Sequence, residues 1–381
     1  MNPGDELDYL LKARALEMIQ KKAKGTKVVG YYPNGYFPEE IALACDVIPI
    51  GLCRGGDHEP VDRSAKYVNG AINELCRAQI GYLTGKDDIF YALIDLYISP
   101  IVENSQRLIA DIVKAFTDIP EFRFEVPREK TKRAYDIYLK ALQSLKGRLE
   151  ELTGQNLSPA RLKESVELLN RRRELFKTIS LARKTDTPSV SGKDFIHLMQ
   201  LSYILDIREM LKLLETYAEE LKAKEGPRPG PRILLTGLEL AWGDDRLIDL
   251  IEGAGGQIVV EQYSSTLRDY WHRVETEGDL MENLAARYLM DKTNHAAFVP
   301  RHERHDLILN LAKEFRADGL IWYSPLYGDN AGIEFMVFEK KWNDQIALPI
   351  MRIDAVYDLQ KSGREEALKA RVEAFINDIE N

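Results

Sequence analysis

Three cysteines in 381 residues, Cys45, Cys53 and Cys76, match neither a disulfide framework nor a zinc-ligand pattern, so reduced thiols are the default expectation. No apolar run approaches the roughly eighteen residues that a membrane-spanning helix needs. The stretch Met1 to Lys12 carries Asp5, Glu6 and Asp8 without an apolar core, unlike a secretory signal. These absences predict a cytoplasmic protein without a membrane partner. Basic residues are also in deficit, 52 against 61 acidic ones for a formal net charge of −9, which argues against a nucleic-acid backbone as the main partner while leaving room for a local basic pocket for a phosphorylated ligand. The nucleotide signatures are missing as well. Gly51-Leu52-Cys53-Arg54-Gly55-Gly56 lacks the Gly-x-Gly-x-x-Gly spacing, and no Gly-x-x-x-x-Gly-Lys-Ser/Thr element occurs, so the chain is expected neither to bind a nucleotide nor to hydrolyse ATP itself. The absence of a Gly-x-Ser-x-Gly elbow removes the commonest hydrolase reading of an α/β chain.

What is present is enough hydrophobic sequence, 45%, for packed cores, in a chain longer than one core usually supports. Short apolar runs alternate with longer amphipathic stretches, the order of parallel sheets covered by helices. Val28–Tyr32, Val47–Leu52, Ala92–Pro100 and Phe122–Val126 read as strands, and Pro38-Glu39-Glu40 reads as a helix start with acids where the macrodipole favours them. From Lys130 to Arg183 the pattern is helical and charged, with a turn at Thr153-Gly154 and an N-cap at Ser158, and predicts a solvated helical layer. Gly226-Pro227-Arg228-Pro229-Gly230-Pro231 is the best linker, since it can extend neither a helix nor a sheet interior. Beyond it Arg232–Gly237, Gln257–Tyr263, Gly319–Tyr323 and Pro349–Asp354 read as a second strand series. The predicted architecture is therefore α/β, two flavodoxin- or Rossmann-like parallel-sheet domains, 1–130 and 227–381, with a helical segment, 131–226, between them.

Ligands of such sheets bind beyond the carboxyl ends of the strands. That rule directs attention to the turns Pro33–Gly35, Cys53–Asp57, Pro100–Arg107, Thr236–Leu240, Tyr263–Thr266 and Ser324–Asn330. They supply Asn34, His58, Glu103, Asn104, Arg107, Tyr327 and Asp329 as pocket candidates. His58 reads either as a ligand or proton-transfer group or as a plain loop residue. Asn104 reads equally as a helix cap and as a ligand. A helix opening after Pro100 places Glu103 and Arg107 four residues apart on one face, where they would pair. Tyr327 and Asp329 would close the pocket from the second domain or only form a turn. His295, His302 and His305 surround Pro300 at spacings that do not share a helical face, so a solvated charged segment is expected there. Cys76, near a helix start and followed by Arg77, reads equally as a metal-ligating thiol of lowered pKa and as a small buried hydrophobe. Cys45 reads as core, and Cys53, at a strand end, as intermediate.

Pro100-Ile101-Val102-Glu103-Asn104-Ser105-Gln106-Arg107 resembles the Pro-x-x-Cys-Asp-x-x-Arg turn of the 2-hydroxyacyl-CoA dehydratase and benzoyl-CoA reductase family, with Glu103 in the cysteine's place. Cys76-Arg77-Ala78-Gln79-Ile80-Gly81 is similar to the segment that bears that family's first cluster cysteine, and Pro188-Ser189-Val190-Ser191-Gly192 to its Pro-Pro-x-Ser-Gly junction. Tyr31-Tyr32-Pro33-Asn34-Gly35 and Arg54–Pro60 look most like the smaller core subunit of the ATP-dependent reductases. The resemblance implies a cytoplasmic hetero-oligomer with a homologous larger core subunit, electrons supplied by ATP-hydrolysing iron–sulfur activator subunits, and an acyl-CoA substrate reacting near a [4Fe-4S] cluster. Of that family's three cluster cysteines only Cys76 has a counterpart. Glu103 stands at the second position and Gly328 approximately at the third, so the cluster is expected mainly on the partner subunit, with Cys76 as at most one ligand. The activity implied is ring reduction of an aromatic acyl-CoA. The alternatives are a dehydratase small subunit and a non-catalytic scaffold subunit.

Overall fold

The computed structural model describes residues 3–221, 226, 230–293, 298–299, 302–327, 329–355 and 364–380. Four strands, β1 (Lys27–Tyr31), β2 (Val47–Gly51), β3 (Leu96–Ile101) and β4 (Glu121–Glu125), form a parallel sheet in the order β2-β1-β3-β4. A second parallel sheet, made of β5 (Arg232–Gly237), β6 (Gln257–Gln262), β7 (Gly319–Pro325) and β8 (Ile350–Ala355), repeats that order as β6-β5-β7-β8. Strands such as Val-Val-Gly-Tyr and Ile-Leu-Leu-Thr are apolar without alternation because helices cover both faces. In each sheet the order reverses between the first strand and the third. The two switch points, outside β1/β3 and outside β5/β7, are where such folds open a crevice.

The expected strand from Ala92 begins only at Leu96, because Asp88 caps a helical turn over Ile89–Ala92 by accepting from the Phe90 and Tyr91 amides. Thr153-Gly154 does end a helix. Gly154 takes φ +70 after the helix Lys132–Thr153, and the next helix starts at Pro159 behind Ser158.

The helical middle is not a solvated layer. The helix Lys132–Thr153 lays Tyr138, Leu142, Leu145 and Leu149 into the core of the first sheet. The helix Pro159–Ala182 then changes allegiance along its length, with Leu162 and Val166 in that core and Leu175, Phe176 and Ile179 in the core of the second sheet. At the changeover it buries Asn170, Arg172 and Arg173. Arg173 bonds Glu40 at 2.7 Å and Tyr288 at 3.0 Å, and Arg172 bonds Glu39 at 2.7 Å and Asp269 at 3.4 Å. Ionic groups from both halves thus meet in one buried seam, where each charge needs its partner. The turns after β2 and β5 also join the halves. Trp242 donates to the Cys53 carbonyl at 2.8 Å, and Gly55 donates back to the Trp242 carbonyl at 2.9 Å. Of the linker, residues 227–229 lie outside the described residues.

Candidate functional site

The two switch points face each other. Tyr32 and Asn34 follow β1, Glu103 follows β3, Leu238 and Glu239 follow β5, and Ser264 follows β6; together with Asn73 and Cys76 they line one small cavity. Its volume of about 20 Å³ holds roughly one water.

Cys76 lies in the first turn of the helix Glu74–Gly85, where the Asn73 side chain caps the helix by accepting from the Cys76 amide at 2.8 Å. The helix is fixed by a close crossing. A Cβ on Gly81 would stand 1.9 Å from the Pro60 carbonyl oxygen, so only glycine lets the helix His58–Ser64 approach this near. The thiol itself is buried, with Sγ 3.7 Å from the Ser105 carbonyl. A lowered pKa does not result. Burial, with the Glu103 carboxylate adding to it, pushes the thiol up to about 12. Arg77 does not compensate, because its guanidinium bonds Ser64 Oγ and the Val61 carbonyl. Cys53, also buried, is raised by burial and then by Glu239, and Cys45 is core as expected. At neutral pH both thiols of this region are protonated.

Glu103 is the N-cap of the helix Asn104–Phe116, with φ −144 and ψ 173, and therefore stands outside the helical face that the sequence spacing assumed. Gln106 Oε1 accepts from the Val102 and Glu103 amides, and Glu103 Oε1 accepts from Ser105 Oγ at 2.8 Å. The expected Glu103–Arg107 pair is absent. Arg107 reaches Glu125 at 2.7 Å on the exposed surface, held there by the β3–β4 pairing. Asn104 is the exposed first residue of the helix, and the cap role falls to its neighbour. Asn34 does enter the cavity wall, where its Nδ2 donates to the Pro100 carbonyl at 2.8 Å and so ties the turn after β1 to β3. His58 opens a helix away from the cavity, 3.0 Å from Asp62. Tyr327, with φ +65, is 51% exposed, and Gly328 and the Asp329 side chain lie outside the described residues. His305 departs from the solvated expectation. It is buried, packed edge-on against Phe338 and 3.6 Å from Glu334, whereas His295 lies outside the described residues.

Sequence reasoning missed two cavity residues. Glu239, buried, accepts from the Ser264 and Ser265 amides at 2.7 and 3.1 Å and from Ser265 Oγ, so the carboxylate is anchored by the turn after β6. Tyr32, expected only as the end of the first strand, has its phenol raised by burial and then by Cys53, Glu239, Glu103 and Cys76, which gather around it. The signal for Glu239 was its place in Thr236–Leu240, a strand-end turn that the sequence had marked without naming this residue. Below the turn after β1, Lys292 donates to the Gly35 carbonyl at 2.7 Å; burial and then Arg287 hold its amine well below the ordinary lysine range.

Among the described residues no three His, Cys, Asp or Glu side chains converge on a possible metal position. One protonated thiol beside carboxylates, around a space for about one water, does not fit a [4Fe-4S] cluster held by this chain alone, because such clusters take thiolate ligands. No helix among the described residues is long and apolar enough to cross a membrane.

Comparison with known proteins gives the relationship. A benzoyl-CoA reductase subunit of Thauera aromatica is 26% identical over 81% of this chain and 80% of that protein. The (R)-phenyllactyl-CoA dehydratase beta subunit of Clostridium sporogenes is 22% identical over 98% and 97% respectively. The beta subunit of (R)-2-hydroxyglutaryl-CoA dehydratase from Acidaminococcus fermentans is 21% identical over 85% and 86%. The family model described as 2-hydroxyglutaryl-CoA dehydratase, D-component, matches residues 34–379, and the chain belongs to that family of dehydratase and reductase subunits.

Proposed function

We propose that this chain is a cytoplasmic subunit of an ATP-driven, low-potential electron-transfer enzyme that acts on an aromatic acyl-CoA thioester by ring reduction, as benzoyl-CoA reductases do. In this reading a homologous larger subunit holds the [4Fe-4S] cluster, ATP-hydrolysing iron–sulfur activator subunits supply the electrons, and this chain binds no nucleotide. The observation that carries the division of labour is the single thiol, Cys76, in a cavity otherwise walled by Glu103, Glu239, Asn34 and Tyr32. The bound cluster would supply the electron; the residues of this chain would position and exclude water. Two features support that role. Glu239 is held by two amides and a hydroxyl, and Asn34 ties the turn after β1 to β3. Asn34, Glu103 and Cys76 remain the pocket residues of the proposal, whereas His58, Asn104 and Arg107 lie at the surface or in a neighbouring helix.

The likeness of Tyr31–Gly35 and Arg54–Pro60 to the reductase small subunit favours reduction. The dehydratase subunits among the relatives support a second reading, in which the assembled enzyme removes water from a 2-hydroxyacyl-CoA. Iron and sulfide analysis of the chain purified alone and anaerobically tests the division of labour. About four irons per chain, lost in Cys76→Ser, would overturn it. Turnover of benzoyl-CoA against a 2-hydroxyacyl-CoA by the complex assembled with its partner and activator separates the two reactions.

A further inference from the structure

At the opposite edge of the first sheet, beside the amino ends of β1 and β2, lies a cavity of about 410 Å³, within the range of small-molecule sites. One wall is the turn Lys24-Gly25-Thr26-Lys27, which joins the helix Pro3–Ala23 to β1. Apolar side chains of Leu43, Val47 and Leu205 contribute another part of the lining.

The charges on the walls do not cancel. Arg14, Lys21, Lys24, Lys27 and Arg172 stand with three carboxylates, Glu39, Asp46 and Asp206, and from outside the lining Glu17 pairs with Arg14 at 2.6 Å and Lys21 at 2.5 Å while Asp269 pairs with Arg172 at 3.4 Å, which leaves Lys24 and Lys27 as the excess charge. Every one of those carboxylates is engaged: Glu39 by Arg172 at 2.7 Å, Asp206 by Lys21 at 3.6 Å and Arg14 at 3.9 Å, and Asp46 by Arg161 outside the lining. Lys24 and Lys27 have no carboxylate partner among the described residues. Gly25 between them leaves open space where a side chain would stand. Arg172, only 4% exposed, is held in the wall by the Ser202 carbonyl, Glu39 and Asp269.

We propose that this cavity binds a small phosphomonoester with an apolar body. Two lysines suit a compact dianion as point charges, and the leucine and valine surfaces take the organic part. The site lies at the far edge of the sheet from the switch-point cavity, so it stands whether or not the acyl-CoA reading does.

Calorimetric titration of the full-length chain at low salt with phenyl phosphate, inorganic phosphate and benzoate tests it. The expected result is saturable one-to-one binding of phenyl phosphate, tighter than either simpler anion, weakened about tenfold or more in Lys24→Glu/Lys27→Glu. Both lysines are at least partly exposed, so the variant should keep its melting temperature; if charge reversal lowers it, Lys24→Gln/Lys27→Gln carries the same comparison. Absence of saturation at millimolar phenyl phosphate, benzoate binding as tightly, or a lysine variant within about tenfold of the parent would each overturn the proposal.

Discussion

Replacing Glu40 by Gln should destabilise the protein sharply, because it removes the carboxylate that Arg173 bonds at the seam between the halves. Glu40 is fully buried; its Oε1 accepts from Arg173 at 2.7 Å and its Oε2 from the Tyr288 hydroxyl at 2.9 Å. The amide is nearly isosteric, so no cavity opens. What it leaves is a guanidinium 1% exposed, with Arg287 close by and no bonded counter-charge, a situation that costs about 3–5 kcal/mol. For 381 residues at about 2.1 cal/mol/K each, the entropy of unfolding is about 0.8 kcal/mol/K, so the melting temperature should fall by about 5 °C. Arg173→Met in the same chain removes the orphaned charge and should recover at least about half of that loss, since an apolar replacement of a buried pair is often close to neutral. Scanning calorimetry with a urea titration as a second probe measures both variants. A Glu40→Gln protein within about 1 °C of the parent, or a double variant no more stable than the single one, would refute the argument that the seam is held by charge pairing rather than by apolar packing.

Other outcomes follow from the same contacts. Asp269 has its pKa lowered although burial opposes it, because Arg172, Arg287 and Lys292 surround the carboxylate. A depressed folded-state pKa gives stability that is complete above the unfolded value near 4 and is lost as pH falls through the folded value; the difference between parent and Asp269→Asn in urea midpoint should therefore shrink as pH is lowered below about 4, and a constant difference would contradict it. All three thiols are buried, with Cys76 pushed up to about 12 and Cys45 to about 11, so a thiol reagent at pH 8 should label the native chain slowly and all three cysteines quickly only in denaturant. Gly81→Ala should lower the melting temperature and loosen the Cys76 helix start, read as faster labelling of Cys76, because the new methyl collides with the Pro60 carbonyl. Arg107→Ala removes only an exposed pair with Glu125 and should shift stability by less than about 1 kcal/mol, with turnover of the assembled complex retained.

The elements follow from local pattern alone. Apolar runs such as Val28–Tyr32 and Arg232–Gly237, with turn residues at their carboxyl ends, identify parallel strands because their side chains must be buried on both faces whatever the neighbours are. The repeat of that pattern in two halves, the turn at Gly154 and the turns holding Asn34, Glu103 and Cys76 were readable for the same local reason. Which of those turns meet depends on contacts between the two halves. The Glu103–Arg107 pair failed because the helix begins only at Asn104, which leaves Glu103 in extended backbone, and because β4 brings Glu125 beside Arg107. The Cys76 thiol is pushed up by burial and then by the approach of Glu103, while Arg77 turns away to Ser64, which no spacing records. The apparently solvated helix Pro159–Ala182 is central because Arg172 and Arg173 find partners 97 to 133 residues away, Glu40 on one side and Asp269 with Tyr288 on the other. Periodicity fixes which side chains share a face of an element; which charges end up paired, and hence which are buried, depends on contacts between elements far apart in the chain.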